Sequence, residues 1–198
     1  RPAWMLAQPP APLADRAPPS SSDRAALHNL AETDTLNKPI CKAKYTSPAH
    51  CKDPVTYFTP NESQNYMFAP YIRNLGGGYA GVAADANYSY IAVARSRFVW
   101  LFDFDVNINA LHRIIRAMML ESETIPEFLA RFGKKKQKES LEILAKHYAD
   151  RSDVDFIQQV FRNNCDALGK HYQKSAVPDA KQGEFGWLRF ADHYRYIR

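Results

Sequence analysis

An α/β fold built on a parallel sheet is the prediction from this sequence of 198 residues, and three stretches between Tyr79 and Leu120 carry it. Tyr79–Val82 reads as a short strand. It runs through a turn, Ala83–Asn87, into a helix, Tyr88–Arg95, with Tyr88, Ile91 and Ala92 at helical spacing. Phe98–Phe102 is an unbroken apolar run, the mark of a strand buried on both faces, and Asp103 and Asp105 stop it at its C-terminal end. Ile108–Leu120 then sets Leu111, Ile114, Ile115, Met118 and Met119 on one helical face. Strand, helix, strand, helix in this order argues for parallel pairing, with ligands bound beyond the carboxyl ends of the strands.

The flanking segments divide the chain further. Residues 1–22 are rich in Pro, Ala and Ser and read as a disordered linker. Residues 23–56 form an N-terminal segment with a helix expected over Asp23–Glu32 and a polar loop between Cys41 and Cys51. Residues 57–122 are the first half of the sheet domain. They open with Asn61-Glu62 and a helix from Gln64 to Leu75, which Pro70 interrupts and Gly76–Gly78 end. Residues 123–182 are all helical. Thr124 caps a helix running to Phe132, Lys138–Ala149 is a second, and Asp153–Tyr172 carries Phe156, Ile157, Val160, Phe161 and Leu168 on one stripe. Too long for one crossover, this stretch is expected to be a helical insertion. Residues 183–198 begin the next element of the sheet domain, with QGEFGWL as a loop or edge strand holding an exposed aromatic. Two convincing strands are few for an open sheet, so the expectation is an incomplete one: the N-terminal portion of a longer protein.

The totals exclude little. An apolar fraction of 45% suits a globular chain, and no apolar run is long enough to span a membrane. The net charge of +5 is modest; Lys134–Lys136 and Lys138 lack interleaved aromatics, which fits a solvated linker better than a nucleic-acid surface. Cys41 and Cys51 could close as a disulfide in an exported protein or stay as separate thiols in the cytoplasm. His50 beside Cys51 lacks the further ligands of a metal site, and no Ser/His/Asp spacing argues for a hydrolase.

The turn after the first strand holds the candidate site. A nucleotide-type ligand needs small residues there, so that backbone can approach it, and Gly81, Ala83 and Ala84 meet that need. It also wants an acid at the end of the second strand to hold ribose hydroxyls. Asp103 stands 22 residues after Gly81, close to the spacing of about 20 expected, and Asp105 is the second choice. The dinucleotide fingerprint is incomplete, because Ala83 and Ala86 replace its later glycines. Asp85 would repel a pyrophosphate at the helix N-terminus. S-adenosylmethionine carries a sulfonium and an ammonium and no phosphate, so this loop favours it over a nicotinamide cofactor. The alternative is structural: small residues for tight helix packing, Asp85 as a cap, Asp103 solvated. Asn61 and Glu62 divide in the same way, either reaching over the site with Glu62 on the ligand's ammonium, or capping a helix. His112, on the helix after Asp103, is either core or site.

The segments FTPNESQNYMFAPYIRNL, GGYAGVAADANYSYIAVARSRFVWLFDFDVNINALHRIIRAMM and FGWLRFADHYRYIR resemble an uncharacterised bacterial family. Its members are similar in fold to class I S-adenosylmethionine-dependent methyltransferases. The family's Asn-Glu motif is matched by Asn61-Glu62, and its loop by Gly81, Val82, Asp85, Asn87, Tyr88, Ser89, Tyr90 and Ile91, with Asp103 as the strand-end acid. Ala83 and Ala86 depart from the loop's glycine and glutamine. The resemblance implies a Rossmann-like fold and a methyltransferase-like protein. Gly81, Ala83 and Asp85 would line the methionine part of the cofactor, Asp103 would hold the ribose, and the methyl acceptor stays open. Two alternatives stand beside it: a non-catalytic exported binding protein that keeps the fold, and, more weakly, a nicotinamide-dependent oxidoreductase.

Overall fold

The computed structural model describes residues 20–22, 25, 56–60, 62, 64–103 and 105–198. The chain divides into two units, Ala14–Thr56 and the remainder, whose described residues run from Tyr57. The expectations for the first 19 residues, for the Asp23–Glu32 helix (apart from Ala25), and for Cys41, His50, Cys51 and Asn61 lie outside the described residues.

A 3-10 turn, Asn65–Phe68, leads into the one-turn helix α1, Ala69–Ile72, with Pro70 in its first turn. Strand β1, Gly78–Gly81, is followed by helix α2, Ala86–Ala94, and strand β2, Phe98–Leu101. The strands pair in parallel, Gly78 opposite Phe98 and Gly81 opposite Leu101. Helix α3, Val106–Leu120, starts where the Asp105 carboxylate accepts the Asn107 N–H, satisfying a donor that has no partner within the helix. Helix α4, Ile125–Arg131, starts in the same way, with the Thr124 hydroxyl accepting the Glu127 N–H. Helix α5, Gln137–His147, follows a 3-10 turn of the three lysines Lys134–Lys136. Helix α6, Val154–Ser175, is the longest element, and helix α7, Ala191–Ile197, closes the chain.

This arrangement corrects the expected Rossmann-like α/β sheet. Among the described residues from Tyr57 on, seven α-helices accompany a sheet of only two four-residue strands. The β-α-β unit is present, but among the described residues no further strand widens it. On one side Tyr79 and Leu101 pack on the core. Trp100 and Phe102, on the opposite side, are about half exposed (52% and 49%), so the Phe98–Phe102 run is not buried on both faces. The core is made by helices instead. Leu111, Ile114, Ile115 and Met118 of α3 meet Ile157, Phe161 and Leu168 of α6, with Phe128, Leu144, Tyr172, Trp187 and Tyr194 closing around them. The segment 123–182 therefore supplies much of the core.

Two close approaches fix α6. The Cys165 thiol donates to the Phe132 carbonyl at 3.2 Å, and Gly169 passes so near that a Cβ there would lie 2.9 Å from the same oxygen. Phe185 and Trp187, expected on a loop with an exposed aromatic, are both buried; the Trp187 N–H donates to Ser89 Oγ on α2 at 3.2 Å. No helix among the described residues is long and apolar enough to cross a membrane.

Candidate functional site

The turn joining β1 to α2 is held by side chains from four directions. Asn87, in the first turn of α2, points its amide back and donates to the carbonyls of Val82 at 2.8 Å, Ala83 at 3.2 Å and Ala84 at 2.7 Å. Its Oδ1 accepts the Tyr79 hydroxyl at 2.6 Å. Gly81 is the residue that lets Asn87 lie there: a Cβ at Gly81 would overlap Asn87 Oδ1 and come within 2.7 Å of the Tyr79 ring. Burial, reinforced by the neighbouring Tyr90, pushes the Tyr79 phenol up to about 12, so it stays a donor.

Asp103 clamps the same turn from β2. Its Oδ2 accepts the Ala83 N–H at 2.8 Å, and its Oδ1 accepts the Asp105 N–H at 2.8 Å. Asn109 of α3 in turn accepts the Asp103 N–H and donates to its carbonyl. Both carboxylate oxygens of Asp103 are thus engaged by backbone. Ala83 is held at φ +67°, the left-handed region that a side chain disfavours.

From α3 comes His112. Its Nε2 lies 2.8 Å from the Ala83 carbonyl, which only accepts, so this nitrogen carries the proton; Nδ1 then accepts the Tyr88 hydroxyl at 3.0 Å. Burial holds the imidazole below its ordinary value, against weaker upward pulls from the Ala83 carbonyl, Asp85 and Asp103. The Tyr88 phenol is pushed well up, first by burial and then by the Asp85 and Tyr148 charges. Neutral His112 beside protonated Tyr88 is the state these bonds require. His112 is therefore a buried structural histidine.

The fourth side chain is His171 of α6, 86 residues from its partner in sequence. Asp85 is 3% exposed and stands at the N-cap position of α2, yet its carboxylate caps nothing. Both its oxygens face His171 Nε2 of α6, at 3.1 and 3.2 Å. A carboxylate fixes the Nε2–H tautomer of the imidazole.

Beside this pair opens a cleft of about 710 Å³. Glu62, Asp85 and Ser89 line it on one side, His171 and Lys174 of α6 on another, and Trp187 on a third. Of the residues expected at the site, Glu62 and Asp85 meet in this cleft. Gly81, Ala83, Asn87 and Asp103 do not line it; they build the turn that presents Asp85. The sequence reading missed His171 and Lys174. They lie 86 residues and more beyond Asp85, on a helix whose spacing announces only its apolar stripe. No group of three or more His, Cys, Asp or Glu side chains is placed to hold a metal ion among the described residues.

The model of one family matches residues 57–198, the unit that builds both the turn and the cleft. The chain belongs to the DUF7790 family. That family is described as a domain of unknown function. No curated protein matches the chain. The DUF7790 domain thus coincides with the part of the chain in which Glu62, Asp85 and His171 converge.

Proposed function

We propose that the DUF7790 domain binds S-adenosylmethionine in the cleft beside Asp85 and acts as a methyltransferase-like protein. One observation carries the reading: a cleft of ligand size, about 710 Å³, lined by the acids Glu62, Asp85 and Asp179 and the cations Lys174 and Arg189, of which Asp179 and Arg189 are hydrogen-bonded within the 177–189 segment. Glu62 and Asp85 suit the ligand's ammonium and sulfonium, and Lys174 suits its carboxylate. Lys174 has no ion pair or side-chain hydrogen bond among the described residues, and Asp85 shares its charge with His171. Gly81, Ala83, Asn87 and Asp103 serve this site indirectly, by fixing the backbone that carries Asp85. Methyl transfer asks little acid–base chemistry of the protein, and positioning the acceptor against the sulfonium methyl supplies most of the rate.

A second reading, a non-catalytic binding protein, is favoured by the internal engagement of the turn. Asn87, Asp103 and His112 all direct their polar atoms into the protein itself. Calorimetric titration of S-adenosylmethionine into the protein, beside Glu62→Gln and Lys174→Met, separates the two. Saturable binding, weakened about tenfold in either variant, is the expected outcome, since a charge-assisted hydrogen bond contributes about 1.5–3 kcal/mol. No heat and no saturation in the wild type would overturn the methyltransferase reading.

A further inference from the structure

A second cavity, of about 440 Å³, lies apart from this cleft, walled by β2, α2, α3 and α7. Its floor is apolar, with Ile91 from α2, Leu101 from β2, Met119 from α3 and Ile197 from α7, and the half-exposed Val99 of β2 stands at its mouth. Val99 and Leu101 are two apart on a strand, so the cavity opens onto a side-chain face of β2.

The polar groups that border the floor are already satisfied. Asn109 exchanges two hydrogen bonds with the Asp103 backbone, and His112 is held between Ala83 and Tyr88. Nothing on the floor is left to read a base, a sugar or a peptide group. The rim is different. Arg113, Arg116 and Arg198 border the cavity, and no Asp or Glu among the described residues lines it. Arg113 pairs with Asp153 at 3.0 Å, and Arg198 donates to the carbonyls of Met119 and Leu120. Arg116 is exposed and pairs with no carboxylate among the described residues; its polar neighbour is the Tyr148 phenol.

An apolar pocket with one such guanidinium at its mouth selects a ligand with an alkyl body and an anionic head. We infer that this cavity binds a medium-chain carboxylate, its chain on Ile91, Leu101, Met119 and Ile197, and its head group on Arg116. The inference stands apart from the proposed function, because the two cavities share no lining residue.

The test uses hexanoate, octanoate, decanoate and decanol as probes, titrated into the protein by calorimetry. Affinity should rise about fourfold per added methylene until the cavity is filled. Decanoate should bind about tenfold more tightly than decanol, and Arg116→Met should remove that difference. Val99 is half exposed, so Val99→Trp can fill the mouth without disturbing the core, and should abolish decanoate binding. Equal affinities for decanoate and decanol, an Arg116→Met variant that binds decanoate as the wild type does, or binding untouched by Val99→Trp would each overturn the inference. Circular dichroism of both variants shows whether they are folded.

Discussion

Ala83 is one of four non-glycine residues, among those described, held at positive φ. A left-handed backbone costs an L-residue about 1–2 kcal/mol, and Ala83 stays there because Asp103, Asn87 and His112 each hold its backbone. Ala83 is exposed, so a smaller residue leaves no cavity. Ala83→Gly should therefore raise stability by about 0.5–1 kcal/mol, the relief of strain exceeding the entropy glycine adds to the unfolded chain. A urea midpoint unchanged or lowered would contradict the account. His112 makes the same turn sensitive to acid. Above about pH 6.5 the imidazole is neutral in folded and unfolded chains alike, and its two bonds are in place. Below that value the unfolded imidazole takes up a proton that the buried one refuses. Stability then falls with pH until the lower folded-state value is passed. His193, also held down by burial, adds in the same direction. His112→Gln keeps one donor and one acceptor but takes up no proton. Urea unfolding across pH 5–7 should show a shallower loss in this variant, with His193 supplying the remainder.

At the scale of elements, helix α6 shows how contact overrides propensity. An exposed glycine inside a helix costs roughly 0.5–1 kcal/mol relative to alanine, so Gly169→Ala would ordinarily stabilise. Here the added methyl would meet the Phe132 carbonyl, a backbone atom that already accepts the Cys165 thiol and cannot swing away. The substitution should instead destabilise by about 1–3 kcal/mol, the usual range for overpacking, and a thermal melt measures it. The elements themselves were largely legible. Alternation and 3.6-residue periodicity are local signals, so β1, α2, β2 and α3 fall within a residue or two of the expected bounds. Thr124 caps as expected, through a side chain three residues from its partner, whereas Asp105, expected as a strand-end acid and second choice for a ribose, turns out to cap α3 by a similarly short reach. Asp85 was not legible in this way. It occupies a cap position, and only the return of α6, 86 residues later, shows that its carboxylate belongs to His171.

For the whole molecule, the same locality explains why the fold class was misread. A β-α-β unit fixes the direction of two strands and says nothing about how many more join them, or whether a layer covers the second face. An apolar run such as Phe98–Phe102 looks identical whether both faces are buried or, as here, Trp100 and Phe102 stay half exposed. What decides the architecture is where the largest side chains meet, and they meet between α3, α4, α6 and the 185–194 segment. This has a consequence for stability. Amides exchange slowly where opening requires the core to come apart, and quickly where few buried contacts hold them. In an open parallel sheet the central strands would be the most protected. In this chain each strand has four residues, Trp100 and Phe102 on one face of the sheet are half exposed, and Leu111, Ile114, Ile115, Ile157 and Phe161 are completely buried. Native-state hydrogen exchange should therefore find the slowest amides in α3, over Leu111–Met118, and in the middle of α6. The amides of β1 and β2 should exchange by opening that is smaller and less costly than global unfolding. Were β2 protected as strongly as α3, the helical core would not be the seat of the molecule's stability.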